Sequence, residues 1–229
     1  MLDGSALNLP PRKSASGPLW ACAATDAGAQ PHPGADRRLV LMSRDHPLRR
    51  AAEDCIREVY DRAFGAADPQ LSETLIVWLT GSGRPLCAAG LRAAPEELFS
   101  EAYLDAPIET LLSLLNGRPV ARGSVFEITT LAGRSVEDTP AFLRRVLALG
   151  RQGGFGWSCF TATARLRRLL AAMGFNPHVL APASPGRLAD PERWGRYYGH
   201  DPMVCVAGDP VSDGGDRRRL SRRRAPANA

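Results

Sequence analysis

The chain is 229 residues long, 44% hydrophobic and 23% charged, which suits one globular domain with a continuous core and loose ends and disfavours two domains. Its formal charge of +5 sits almost wholly in a final run, Arg217-Arg218-Arg219 and Arg222-Arg223-Arg224; without residues 213–229, 23 basic groups face 22 acidic ones, so no nucleic-acid partner is expected of the folded part. Lys13 is the only lysine, and the five scattered cysteines (Cys22, Cys55, Cys87, Cys159, Cys205) have no C-x-x-C pair and no histidine at ligand spacing, which argues against Schiff-base catalysis, a disulfide framework and a structural metal site.

Residues 1–36 are rich in Pro, Gly, Ala and Ser, show no sustained period and are expected to be disordered. They hold no apolar run of signal-peptide length, and no segment approaches the ~20 apolar residues of a membrane helix, so a reduced, cytoplasmic, soluble protein without a transmembrane segment is expected. Leu39-Val40-Leu41-Met42 reads as a first strand, and Asp45 with Pro47 starts an amphipathic helix that places Leu48, Ala52, Cys55, Ile56, Val59 and Ala63 on one face, with Arg49 and Arg50 largely on the other. Thr74–Leu79 and Leu86–Leu91, joined by Gly81-Ser82-Gly83, form a hairpin. Glu96–Tyr103 and Pro107–Asn116 carry helical spacing, and Gly117 closes the second segment. From residue 125 to 175 the order is strand (Val125–Leu131), helix (Phe142–Arg151, with Thr139 as N-cap and Pro140 at its first position), strand (Trp157–Thr163) and helix (Arg165–Met173). His178–Leu180 and Met203–Val206 make two late strands linked by a proline-rich excursion containing Trp194, Tyr197 and Tyr198. The fold class is therefore α/β with a mixed sheet, in one domain over residues 37–209, followed by a disordered Arg-rich tail over 210–229. Two parallel strands joined by a helix open a cleft at their carboxyl ends, where small ligands bind.

The segments Leu86–Arg92, Leu98–Glu109, Phe126-Glu127-Ile128, Phe160–Thr163 and Trp194–Tyr198, in this order, resemble the thermostable haemolysin family, over about residues 37–208. That family resembles a distant branch of the GCN5-related N-acyltransferase fold, near the acyl-homoserine-lactone synthases. The resemblance implies a mixed sheet whose fourth and fifth strands splay apart to admit the pantetheine arm of an acyl thioester. Backbone amides beside the splay would polarise the thioester carbonyl, and a carboxylate or ordered water would take a proton from an attacking amine.

Each candidate carries a plainer alternative. Glu127, among Phe126 and Ile128, faces solvent, pairs with an arginine, or lines a site where burial raises its pKa. Arg151-Gln152-Gly153-Gly154-Phe155-Gly156 matches a phosphate signature in its letters, but it follows a helix and precedes a strand, so it reads as a helix stop rather than a cradle at a helix start. The loop that should hold the cradle, Leu131-Ala132-Gly133-Arg134-Ser135, has one glycine and one arginine, which favours a carrier-protein-bound donor over acyl-CoA. Thr163 caps the last core helix, and Arg165, Arg167 and Arg168 in its first turns either contact an anion or form a solvated face. Glu101, Asp105 and Glu109 either recognise an amine or, for Asp105, cap a helix; Trp194 and Tyr198 either cover an acyl chain or pack on the sheet. Cys159, with no histidine nearby in sequence, reads as a small core residue. No G-x-S-x-G, H-E-x-x-H or Walker loop is present.

The expected function is an N-acyltransferase that moves an acyl group from a thioester of acyl carrier protein or CoA to a small-molecule amine, in secondary-metabolite or signal biosynthesis. No permanently bound cofactor or metal is expected. Glu127 and Thr129 would act in catalysis, and Leu131, Ala132, Gly133, Arg134, Thr161, Thr163, Arg165 and Arg168 would hold the donor. Glu101, Tyr103, Trp194 and Tyr198 would hold the acceptor. A membrane-active haemolysin-like protein and an acyl-homoserine-lactone-type synthase using S-adenosylmethionine are the alternatives; the family label and the arginine tail suggest the first, and the second lacks that group's tryptophan and paired aspartates.

Overall fold

Seven strands form one sheet in a computed structural model that describes residues 37–208; the segment 1–36 and the tail 210–229, both expected to be disordered, lie outside the described residues. The strands are β1 (Arg38–Met42), β2 (Thr74–Leu79), β3 (Pro85–Ala93), β4 (Val125–Gly133), β5 (Trp157–Ala162), β6 (His178–Pro182) and β7 (Met203–Gly208), in the spatial order β1-β2-β3-β4-β5-β7-β6. Every neighbouring pair is antiparallel except β4 and β5, which run parallel and are joined by helix α3 (Asp138–Gln152). Each side of this sheet meets a different apolar layer.

On one side, Phe126 and Ile128 of β4 and Phe160 and Ala162 of β5 pack against Phe142, Leu143, Val146 and Leu147 of α3 and Leu170 of α4 (Ala164–Ala172). Helices α1 (Arg49–Phe64) and α2 (Ile108–Asn116) pack on the other, with the excursion that carries Trp194 and Tyr197. Gly150 lets α3 come close to the sheet, since a Cβ there would lie 2.4 Å from the Phe126 ring.

Local expectations hold at most elements and fail at a few. Glu96–Tyr103 is not a helix; only Phe99–Tyr103 coils, as a 3₁₀ turn. Thr139 is not the N-cap of α3 but lies within its first turn, donating its hydroxyl to the Ser135 carbonyl at 3.0 Å. Arg49 leaves the solvent face: it is buried, and its guanidinium donates to the carbonyls of Ser72 and Glu73 at 2.6 Å each and of Met42 at 3.3 Å. The Glu53 carboxylate one helical turn on, at 2.8 Å, balances its charge, and the three carbonyls near the ends of β1 and β2 supply further acceptors that no helical period encodes. Gly153 ends α3 after Gln152, so the glycine-rich run is a helix stop.

The feature that positions the site lies in β4. Its register against β3 shifts between Gly90↔Thr129 and Ala88↔Ala132, so Thr130 and Leu131 together oppose Ala89: a β-bulge. Thr130 has φ +43°, outside the region a β-branched residue ordinarily adopts. The bulge reverses the alternation of the strand, as a one-residue slip must. Val125 and Glu127 face the α1/α2 layer, yet beyond the bulge Leu131 packs in the α3/α4 layer and Ala132 in the α1 layer.

Candidate active site

Parallel pairing of β4 with β5 covers Val125↔Trp157 through Ile128↔Phe160 and stops there. Beyond it, Thr129–Gly133 pair only with β3, while Thr161 and Ala162 pair only with β7. The two strands therefore splay apart, and a cavity of about 630 Å³ runs through the gap, bounded by both layers. Its α3/α4 arm is mainly aliphatic, lined by Leu143, Leu147, Leu166 and Leu169 with Phe160 at its side; its α1/α2 arm is aromatic, lined by Tyr60, Phe64, Phe99, Tyr103, Trp194 and Tyr197. Glu127, Ser100, Thr129, Thr130 and Thr161 put polar groups at the waist.

Glu127 is completely buried yet well bonded. Its Oε2 accepts from the Phe99 amide at 2.6 Å, and its Oε1 from the Ser100 amide at 2.7 Å and the Ser100 hydroxyl at 2.5 Å. Burial pushes its pKa above the ordinary carboxylate value, and the Ser100 and Phe99 hydrogen bonds, with Arg92 nearby, partly oppose that rise. So the same carboxylate anchors the first turn of Phe99–Tyr103 and presents a basic group beside the splay. Ser100 Oγ also lies 3.1 Å from Thr161 Oγ1, linking β4 to β5 across the waist.

Thr129 lines the cavity with its hydroxyl engaged by Ser72 Oγ at 2.9 Å, and the pair sits where a Cβ on Gly90 would fall, 2.2 Å from Thr129 Oγ1. Among the described residues Thr130 Oγ1 is buried without a hydrogen-bond partner. A strained backbone and an unpartnered hydroxyl at one residue beside a cavity mark a place where the surroundings over-determine an unfavourable conformation.

Several expected contacts are corrected. Ala132 faces the α1 core and does not line the cavity, because the bulge turns it away. Arg168 is exposed and also absent from the cavity wall, whereas Arg165 reaches it. Glu101 does not face the cavity either: it accepts from the two terminal guanidinium nitrogens of Arg122, at 2.6 and 2.7 Å, and from the Ile108 amide at 3.0 Å. Arg122 also bonds Glu109 at 3.0 Å, and Asp105 pairs with Arg187 rather than capping α2. That acidic row therefore fastens the segment between β3 and β4. Tyr198 stands behind the wall, where its hydroxyl meets that of Tyr103 at 2.7 Å; Tyr103 itself lines the cavity. Leu131, Gly133, Arg134, Thr161, Thr163 and Trp194 line it. Thr163 caps α4, accepting from the Leu166 amide at 3.3 Å. Arg167 is a brace, bonded to the carbonyls of Ala162 and Asp201 at 2.7 and 2.6 Å.

The loop entering α3 is poorly suited to a pyrophosphate. Arg134 is held by Glu58 at 2.8 Å and by Cys55 Sγ at 3.4 Å, and Glu137 and Asp138, the latter paired with Arg37, stand at the start of α3 where an anion would need positive potential. The described cysteines are buried and unreactive in character: burial pushes Cys87 up to about 12 and Cys159 well above its ordinary value. Among the described residues no cluster of His, Cys, Asp and Glu suits a metal, and no helix is long and apolar enough to cross a membrane.

Sequence and structure comparisons fit this geometry. A family model described as thermostable hemolysin matches residues 42–210. No curated protein matches in a sequence search. Among solved structures, the acyl-homoserine-lactone synthase LasI aligns at TM-score 0.52 and 10% identity, over 76% of this chain and 90% of its own. A putative N-acetyltransferase from Lactobacillus plantarum aligns at TM-score 0.48 and 11% identity, over 75% and 97%. FeeM, an N-acyl amino acid synthase from uncultured soil microbes, aligns at TM-score 0.48 and 13% identity, over 76% and 93%. At such identities the likeness is one of fold alone, and it is LasI whose fold this seven-stranded sheet with its flanking helices shares.

Proposed function

Since this chain belongs to the thermostable hemolysin family and its two central strands part beside a buried carboxylate, we propose that it is an acyltransferase, moving an acyl group from a phosphopantetheine thioester to the amine of a small molecule. The observation that carries this reading is the end of β4–β5 pairing at Ile128↔Phe160, with a cavity running through the gap that follows. The thioester enters along the gap. Its carbonyl lies at the bulge, where Thr130 and Leu131 are set out of the regular ladder and a backbone amide would stabilise the developing oxyanion. The amine attacks from the aromatic arm, and Glu127 is the final acceptor of its proton. The carbon–sulfur bond then breaks and a thiol leaves.

Two features narrow the donor. A cavity of about 630 Å³ lies within the ~300–1,000 Å³ that envelops a whole small ligand, far more than an acetyl group fills, and its α3/α4 arm is mainly aliphatic. The acyl group is therefore a chain of several methylenes. An acidic α3 start with its arginine engaged disfavours the pyrophosphate of CoA, which leaves the single phosphodiester of a carrier protein as the better fit.

Purified protein incubated with acyl-pantetheine or acyl-carrier thioesters and a panel of amines is expected to release free thiol together with an equal amount of amide. Each added methylene contributes up to about 0.8 kcal/mol, so kcat/KM should rise by at most roughly fourfold per carbon until the arm is full and then fall. A flat dependence on chain length would contradict the aliphatic-arm assignment, and no thiol release from any donor would contradict acyl transfer.

A further inference from the structure

We propose that the amine's proton reaches Glu127 through two hydroxyls, with Thr161 as the group that touches the amine and Ser100 as the relay. The proposal rests on the acyl-transfer reading of this site. Direct contact between amine and carboxylate meets two obstacles: Glu127 is wholly buried, and both its oxygens already accept from Phe99 and Ser100. Ser100 has one hydroxyl proton, donated to Glu127 Oε1 at 2.5 Å. Its contact with Thr161 Oγ1 at 3.1 Å must then be one in which Thr161 donates and Ser100 accepts. Both lone pairs of Thr161 Oγ1 are left for an incoming N–H.

Register places Thr161 where this requires. Glu127 pairs with Cys159 across β4–β5, and Thr161 is the next residue of β5 on the same face, the first beyond the last pair, Ile128↔Phe160. All three residues border the cavity, but Thr161 is half-buried, Ser100 almost fully buried and Glu127 completely so, and the hydroxyl chain therefore runs from the most accessible group to the least. The Tyr197 hydroxyl, donating to the Thr161 carbonyl at 3.4 Å, helps hold that residue at the edge of the gap.

The step balances without any further reactant. As the amine nitrogen bonds to the thioester carbon, an N–H proton passes to Thr161 Oγ1, the Thr161 proton to Ser100 Oγ, and the Ser100 proton to Glu127 Oε1. The carbon–sulfur electron pair leaves with sulfur. The proton then returns along the chain to the thiolate, restoring the carboxylate and giving one amide and one thiol.

The test compares wild type with Thr161→Val, which keeps shape and loses the hydroxyl, and Thr161→Ser, which keeps the hydroxyl. Expected is a fall in kcat of about 100-fold for the valine variant with KM changed less than about threefold, and recovery to within about threefold for the serine variant. In mixtures of H₂O and D₂O the wild-type rate should curve, because several protons move together, and the valine variant should lose that curvature. If Thr161→Val keeps kcat within about twofold while Glu127→Gln abolishes turnover, the relay is wrong and acyl transfer stands. If wild type releases no thiol from any donor, the underlying reading fails and the relay with it. Should Thr161→Val not fold, Ser100→Ala, whose amide still bonds Glu127, is expected to give the same loss of kcat and of curvature; unchanged kcat there would overturn the relay.

Discussion

Replacing Glu127 by glutamine is expected to lower kcat by about 10²- to 10⁴-fold, the usual contribution of a positioned acid or base, with little change in donor KM. It should also destabilise the fold. Three donors converge on the carboxylate, and an amide presents one acceptor oxygen and one NH₂, so a donor at Phe99 or Ser100 is left facing another donor in a buried site, at a cost of about 1–3 kcal/mol. The pH dependence separates the two effects. Burial raises the folded-state pKa, so wild-type kcat should fall on acidification at a pH above that of an ordinary carboxylate. In stability the sign is reversed. Between the ordinary value of 4.5 and the raised one, the folded state holds a proton that the unfolded state has lost, so Glu127's stabilising contribution declines as pH rises through that window. Urea unfolding at acid and neutral pH should show the stability difference between wild type and Glu127→Gln narrowing toward neutrality. A gap that widens would contradict a raised pKa.

Gly195→Ala is expected to cost about 3 kcal/mol or more, the largest stability loss for one added methyl group. Gly195 adopts φ +55° and ψ −125°, and a Cβ there would lie 2.4 Å from the Phe64 carbonyl oxygen and 2.7 Å from that of Gly65. Both are backbone atoms at the end of α1 and cannot swing aside. The same closeness lets the Arg196 amide donate to the Phe64 carbonyl at 2.7 Å, and it seats Trp194 and Tyr197 against Tyr60, with ring centroids 6.1 and 6.4 Å away. Displacing this corner opens the aromatic arm. Acceptor KM should therefore rise more than donor KM, and near-ultraviolet circular dichroism should weaken. Gly199→Ala is the control: nothing lies within 4 Å of the added atom, so its stability should stay within about 0.5 kcal/mol of wild type.

The succession of elements along the chain, the hairpin, α1 and the β4-α3-β5-α4 unit were legible because each rests on local periodicity and turn chemistry: Thr74–Leu79 matches β2 at both ends, and Gly117 in the left-handed region closes α2. Thr163 as a cap was equally local. What escaped was long-range. Ser100 is bound to Glu127 across 27 residues and to Thr161 across 61, and no short pattern records either contact. Glu101 and Glu109 looked like a substrate-facing row because their spacing is visible and their partner, Arg122, lies 21 and 13 residues further on. The bulge escaped for another reason. Thr130 and Leu131 carry neither glycine nor proline to announce a break in β4; Ala132 was grouped with its neighbours as part of one donor-holding loop, and the bulge turns it into the α1 layer. Glu127 was visible only as an acid among apolar neighbours; its ring of donors belongs to a 3₁₀ turn read as a helix.

The most direct test is a crystal structure with a non-hydrolysable acyl-pantetheine analogue. The account predicts the pantetheine arm between Thr129–Gly133 and Thr161–Ala162, the carbonyl oxygen within hydrogen-bond distance of a backbone amide at Thr130 or Leu131, and the acyl chain running toward Leu143 and Leu147. Analogue seated elsewhere, or a cavity left empty at saturating concentration, would contradict it.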